Sequence, residues 1–227
     1  MSEERSNVKF TKNHFMRWIM TLVGLLGTLH TDETRSWANY PLSLMREKIL
    51  EFKPEIICGE VRPEDWNEYQ KNKTYSGYLG PSEYRQTIIP LCEEYGIPFW
   101  PIDDFLDEHV KLDHFAPYSK EEQERLSSEL MNRYEEIFEK AKRDPIPFNS
   151  YQLNQLIEEK QEWLRKVNPE VQQIVWDERN KKMIENIRKV IEENEGKRIL
   201  VTIGAEHGYV FLKALKELGW EEVFPIG

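Results

Sequence analysis

Three short apolar runs, each meeting a glycine, punctuate this chain, and the rest reads as the connections between them. The last is Arg198-Ile199-Leu200-Val201-Thr202-Ile203-Gly204-Ala205-Glu206-His207-Gly208. Its apolar, partly β-branched body predicts a buried strand. Gly204 is expected to let the backbone turn tightly where the strand ends. Val210, Leu212, Leu215 and Leu218 then follow a helical spacing. An imidazole is thereby placed at the carboxyl edge of a sheet, where open α/β sheets carry their ligand sites. The first run has the same form: an apolar stretch from Phe15 to Leu26, then Gly27-Thr28-Leu29-His30. The middle one, Glu55-Ile56-Ile57-Cys58-Gly59-Glu60-Val61, ends in a carboxylate. Between the two lies a helical pattern, with Leu42, Met45 and Ile49 near one face, so strand, helix and strand form a βαβ unit.

The remaining stretches fill in around that frame. Residues 1–13 are polar and expected to be loose. Residues 62–80 are polar and aromatic, with Trp66, Tyr69, Tyr75 and Tyr78 among turn signals, and read as a rim or lid loop. Pro81 precedes a predicted helix over 82–95, stopped by Gly96. Ile97-Pro98-Phe99-Trp100-Pro101-Ile102-Asp103 reads as a short strand whose prolines place it at an edge. Ser119 with Glu122 is a helix start. Helices are expected to about residue 141, over 150–167 and over 171–193, broken by Asp144-Pro145-Ile146-Pro147. A last short strand is expected over 222–226. The fold class that follows is α/β: a mixed or mostly parallel sheet flanked by helices, with a helical insertion at 119–193 before the last βα unit. One domain over 1–227 accommodates all of it.

Charge and cysteine content narrow the classes. The formal net charge is −10, which argues against a general nucleic-acid binder. Two cysteines, Cys58 and Cys92, both in apolar surroundings, read as reduced core residues rather than a disulfide framework and favour a cytoplasmic protein. The apolar run near the amino terminus imitates a targeting segment, but Glu3 and Glu4 precede it and no small-x-small cleavage site follows. It is also too short and too soon interrupted to span a bilayer. Gly-x-Ser-x-Gly, Gly-x-Gly-x-x-Gly and P-loop patterns are missing, which disfavours serine-elbow, dinucleotide and P-loop chemistry.

Candidate chemistry collects at the predicted strand ends: His30, Glu60, Arg62, Asp103, Glu206 and His207. Arg179, in Trp176-Asp177-Glu178-Arg179-Asn180, is an anion clamp if its helix brings it to the cleft. Trp66 and Tyr78 are candidate substrate contacts on the long loop; Arg62 and Asp103 share that assignment. His30, Glu60 and His207 would make a first shell for a divalent ion such as Zn, Mn or Co, which lowers the pKa of a bound water. The same residues would also work without a metal, a histidine acting as general base on water. His14, His109 and His114 carry no comparable context.

Gly27-Thr28-Leu29-His30, the strand-end Glu60, Asp177-Glu178-Arg179-Asn180 and Gly204-Ala205-Glu206-His207 together resemble the motif series of the TraB/Tiki-like family (the TraB/PrgY group), related to the erythromycin esterase and ChaN-like superfamily. The resemblance covers nearly the whole chain. It departs at Glu206, where the common family form has glycine. It implies a hydrolase acting on a peptide, ester or lactone bond with water as nucleophile, metal-dependent by the Tiki analogy or histidine-based by the esterase analogy. Catalytic roles fall on His30, Glu60, Glu206 and His207, with Arg179 stabilising the oxyanion. The alternatives are a ChaN-like haem- or small-ligand-binding protein, with His30 or His207 as axial ligand, and a non-catalytic regulator. The expected partner is a small molecule or peptide; no membrane span is expected, and a homo-oligomer stays open.

Overall fold

The computed structural model describes residues 21–106, 109, 111–220 and 222–223. The polar start at 1–13, His14, the apolar residues before 21 and the predicted strand residues 224–226 lie outside the described residues. Strands β1 (Leu22–Thr28), β2 (Ile56–Gly59), β3 (Phe99–Pro101), β4 (Arg198–Gly204) and β5 (Glu222–Val223) form one sheet in the order β3-β2-β4-β1-β5. Every neighbouring pair is parallel. The three apolar runs thus become the three central strands. β3, with its prolines, takes an edge, where a missing N–H costs no ladder bond.

The central strands are apolar throughout because both faces are covered. Period-two alternation sends Leu26, Ile57 and Leu200 to one face. Leu25, Ile56, Cys58, Ile199 and Val201 go to the other. The first face packs on α2 (Leu42–Phe52) and α4 (Ile89–Tyr95); the second packs on α8 (Arg179–Glu193) and α9 (Gly208–Glu217). Cys58 and Cys92 are buried free thiols in these layers.

Register brings the strand ends level. Thr28 lies opposite Gly204, and Gly59 opposite Thr202. The residues that follow β1, β2 and β4 therefore emerge side by side, although β1 and β2 are not neighbours. β4, from the far end of the chain, sits between them.

Several connections differ from expectation. Helix α1 (Asp32–Trp37) begins just after His30, capped by Thr31, whose Oγ1 accepts the Thr34 N–H at 3.1 Å. The presumed loop after β2 contains α3 (Pro63–Lys71). Pro63 in its first turn needs no N–H partner, and Glu64 and Asp65 favour the positive helix end. The predicted helix 82–95 has a π-helical start, Tyr84–Ile88, that runs into α4.

The helical segment between β3 and β4 comprises α5 (Lys120–Ala141), α6 (Tyr151–Val167), α7 (Pro169–Gln172), a π-helical stretch Gln173–Glu178 and α8. Ser119 and Ser150 cap the first two as their sequences require. Ile137, Ala141, Leu153 and Ile157 belong to the main core. No helix among the described residues is long and apolar enough to cross a membrane.

Candidate functional site

Four strand ends and one helix start converge at the carboxyl edge of the sheet. Glu60 follows β2 directly and is fully buried. Its Oε2 accepts the Gly204 N–H from the end of β4. Its Oε1 accepts from Arg179 Nη2 at 2.9 Å. The same guanidinium donates through Nε to Asp103 Oδ1 at 2.9 Å, beyond the edge strand β3. Its Nη1 lies 3.4 Å from His207 Nε2. Arg179 stands at the first position of α8, directly after the π-helical stretch, a local geometry often found at functional sites. The expected convergence of Glu60, Asp103, Arg179 and His207 is therefore realised, but around a guanidinium.

His207 is held as a neutral base. Asn180 Nδ2 donates to the Trp176 carbonyl at 2.7 Å, which turns its Oδ1 toward His207 Nδ1, 2.7 Å away. That oxygen can only accept, so Nδ1 carries the proton and Nε2 keeps its lone pair. The ring stacks on Trp176 at 4.3 Å between centroids and is 4% exposed. Burial first, then the positive charge of Arg179, holds its pKa well below the usual histidine value.

His30 is the opposite case. Its side chain is 42% exposed, and Nδ1 sits 2.8 Å from Glu83 Oε1. Nε2 lies 3.9 Å from Glu60 Oε2. Partial burial pulls its pKa down. The Glu83 hydrogen bond and the charges of Glu60 and Glu83 outweigh that and raise it. Glu60 is itself raised, by burial first, against the opposing pull of Arg179 and His30. Gly204 makes this approach possible. Its φ of −52° is open to any residue, so the tight turn expected there is not what requires glycine. A Cβ at this position would stand 2.6 Å from His30 Nε2 and 3.2 Å from Glu60 Oε2.

A cavity of about 770 Å³ opens beside these groups, lined by His30, Gly204, Ala205, Glu206 and His207 and by aromatic and aliphatic side chains of α1, α5 and α6. Glu206 reaches this cavity but turns away from Glu60. Lys160 Nζ donates to its Oε2 at 2.5 Å, and Gln161 Nε2 at 2.9 Å. Arg62, Trp66 and Tyr78 are not among the lining residues. Arg62 donates to Asp65 Oδ2 at 2.5 Å and lies over the Tyr78 ring. Tyr78 has its pKa pushed up to about 12 by burial and by the Asp103 and Glu60 carboxylates. Trp66 packs on Phe99, with centroids 4.8 Å apart, as part of the core under α3. His114 bonds Gln172 Oε1 at 2.8 Å, away from the strand ends.

Among the described residues, no three His, Cys, Asp or Glu side chains are arranged to hold a metal ion. Glu60 Oε1 and His207 Nε2 are 3.5 Å apart, and Arg179, a fixed cation, is directed at both. Of the three expected ligands, Glu60 and His207 face the guanidinium, while His30 turns Nδ1 to Glu83 and holds Nε2 3.9 Å from Glu60 Oε2.

Three partners escaped the sequence reading. Glu83, fully buried, also receives Thr28 Oγ1 at 2.7 Å and faces Arg35 Nη1 at 3.6 Å. Asn180 and Lys160 are the others. Each lies on an apolar helical stripe: Lys160 with Leu153, Ile157 and Leu164, and Asn180 with Met183, Ile187 and Ile191. A polar residue in phase with such a stripe is a signal for a buried, partnered group. Comparison with known protein families, curated proteins and solved structures finds no match.

Proposed function

We propose that this chain is a hydrolase in which His30 acts as general base on water, cleaving an ester, lactone or amide bond in a largely apolar small molecule. The observation that carries the reading is the His30–Glu83 pair opening onto the cavity. Glu83 accepts a hydrogen bond from Nδ1–H, which leaves Nε2 as the basic nitrogen of the neutral ring. Nε2 removes a proton from water as the water oxygen attacks the carbonyl carbon. The tetrahedral intermediate collapses, and His30 returns that proton to the leaving oxygen or nitrogen.

The buried charges favour this cycle. Glu60, Glu83 and Asp103 face Arg35 and Arg179, so a proton on His30 brings the cluster to balance. The imidazolium formed during attack is thereby stabilised. Arg179 serves as a positioning residue that holds Glu60, Asp103 and His207, instead of the oxyanion clamp expected from its motif. The ordered motif set that resembles the TraB/Tiki-like family supports the same reaction class, and its likeness to the erythromycin esterases implies the metal-free version.

The test is turnover of a panel of aryl esters, lactones and anilides in ¹⁸O-water. One labelled oxygen should enter the acid product, and His30→Ala should lower kcat/KM by about 10²–10⁴-fold. Glu83→Gln should lower it less, with its pH profile displaced toward acid. Turnover unchanged in His30→Ala, or no turnover across the panel, would overturn the proposal.

A further inference from the structure

We infer that the cavity selects hydrophobic organic cations, amines above all, over neutral and anionic molecules of the same shape. The inference takes from the hydrolase reading only that the cavity is where substrate sits.

The first observation is the sign of the wall. Among the described residues, the lining carries the carboxylates Glu33, Glu135 and Glu206 and neither Lys nor Arg; its one basic group prone to charge, His30, is already paired with Glu83. The cations behind the wall are already engaged. Lys160 is 1% exposed, with Nζ on Glu206 Oε2 at 2.5 Å and on Tyr134 Oη at 3.2 Å. Arg35 is buried and donates to the Leu29 carbonyl at 2.7 Å and to Ser82 Oγ at 3.0 Å. Lys142, near the rim, lies over the Trp37 ring and donates to Glu139 Oε1 at 2.8 Å. Among the described residues of this wall, a ligand carboxylate or phosphate would meet only His30, whose charge Glu83 already offsets, whereas an ammonium would find carboxylate oxygens.

The second observation is the character of the rest of the wall. Tyr134, Phe138 and Trp176 present ring surface, and the volume of about 770 Å³ lies within the range of small-molecule sites. Aromatic faces attract cations, and Lys160 Nζ already lies 4.4 Å from the Tyr134 ring centroid. Glu206 shares its charge with Lys160, and Glu33 and Glu135 add the wall's negative excess. Burial works against the Glu206 charge, but Lys160 overcomes this and holds its pKa below the usual value. Its side chain remains 37% exposed while lining the cavity. An apolar body with one ammonium matches both halves of the wall.

The probes are 4-phenylbutylamine, 4-phenylbutanol and 4-phenylbutyrate, titrated calorimetrically at neutral pH, with the His30 ring resonances followed by NMR to place the ligand. The amine should bind about three- to tenfold more tightly than the alcohol, the range expected of one partly exposed charge contact plus a cation–π contact. The butyrate should bind most weakly. The amine preference should shrink in high salt and fall in both Glu206→Gln and Glu135→Gln, the second being an exposed site whose substitution leaves the core untouched. Equal or tighter binding of the butyrate, an amine preference unchanged in both variants, or no binding by any probe would overturn the inference. A protein that prefers the amine yet hydrolyses nothing keeps this inference and loses the hydrolase reading. Turnover without the preference does the reverse.

Discussion

Replacing Arg179 with Met separates the guanidinium from its buried partners while keeping most of the side-chain volume. Glu60 and Asp103 are both essentially inaccessible, and each spends an oxygen on Arg179 at 2.9 Å. Removing one member of a buried ion cluster leaves uncompensated charge and costs about 3–5 kcal/mol. For a chain of this size each kcal/mol moves Tm by about 2–4 °C, so Arg179→Met should melt roughly 6–20 °C lower at neutral pH. The loss should shrink on acidification. Arg179 is the strongest force lowering the Glu60 pKa, and without it the already raised carboxyl rises further and takes up a proton. The assay is urea unfolding of wild type, Arg179→Met, Glu60→Gln and the double variant. The double variant should cost less than the two singles summed, because the singles remove the same contact. A loss below about 1 kcal/mol that does not vary with pH would refute the claim that Arg179 neutralises these carboxylates.

Three further outcomes follow from the same geometry. Gly204→Ala puts a Cβ 2.6 Å from His30 Nε2, so the ring must leave Glu83 or the strand end must shift. Thermal melts should show about 1–3 kcal/mol of destabilisation, and an NMR titration should show the His30 pKa falling toward 6.5. His207→Gln should flatten the acid side of the stability curve. The unfolded chain takes up a proton near 6.5 that folded His207 refuses, so wild-type stability is lost as pH falls below that value and the variant lacks this loss. Lys160→Met should be tolerated within about 2 kcal/mol by urea unfolding, since methionine suits the stripe of Leu153, Ile157 and Leu164 and the half-exposed Glu206 can be hydrated.

Much of the sheet was legible because its central strands are buried on both faces and so appear as unbroken apolar runs closed by Gly27, Gly59 and Gly204. The prolines of β3 announced its edge position, and Ser119 announced α5. Strand order was not legible. Nothing local in Arg198–Gly204 says that it enters between β1 and β2, since that follows from long-range packing of the helical segment. α3 was missed because Trp66 and Tyr69 are its only apolar positions and the other inward-facing residue, Asp65, is a carboxylate. At the site, the strand-end residues His30, Glu60, Asp103 and His207 could be named because position along a strand decides where they emerge. Their partners could not be named the same way. Glu83 lies in a helix start, and its contact with His30 depends on how that helix packs over β1. Glu206 shows the converse limit. Its neighbours in sequence point to the cluster, but the backbone sends its side chain to Lys160 on α6.

Two histidines divide the labour at this site, one charge-prone and open to the cavity, the other neutral and buried. A ¹⁵N NMR titration of the imidazole rings tests this without a known substrate. His30 should titrate above 6.5, and His207 should keep a protonated Nδ1 and a bare Nε2, resisting protonation well below 6.5. Two rings titrating together near 6.5, or a His207 that carries its proton on Nε2, would contradict the account.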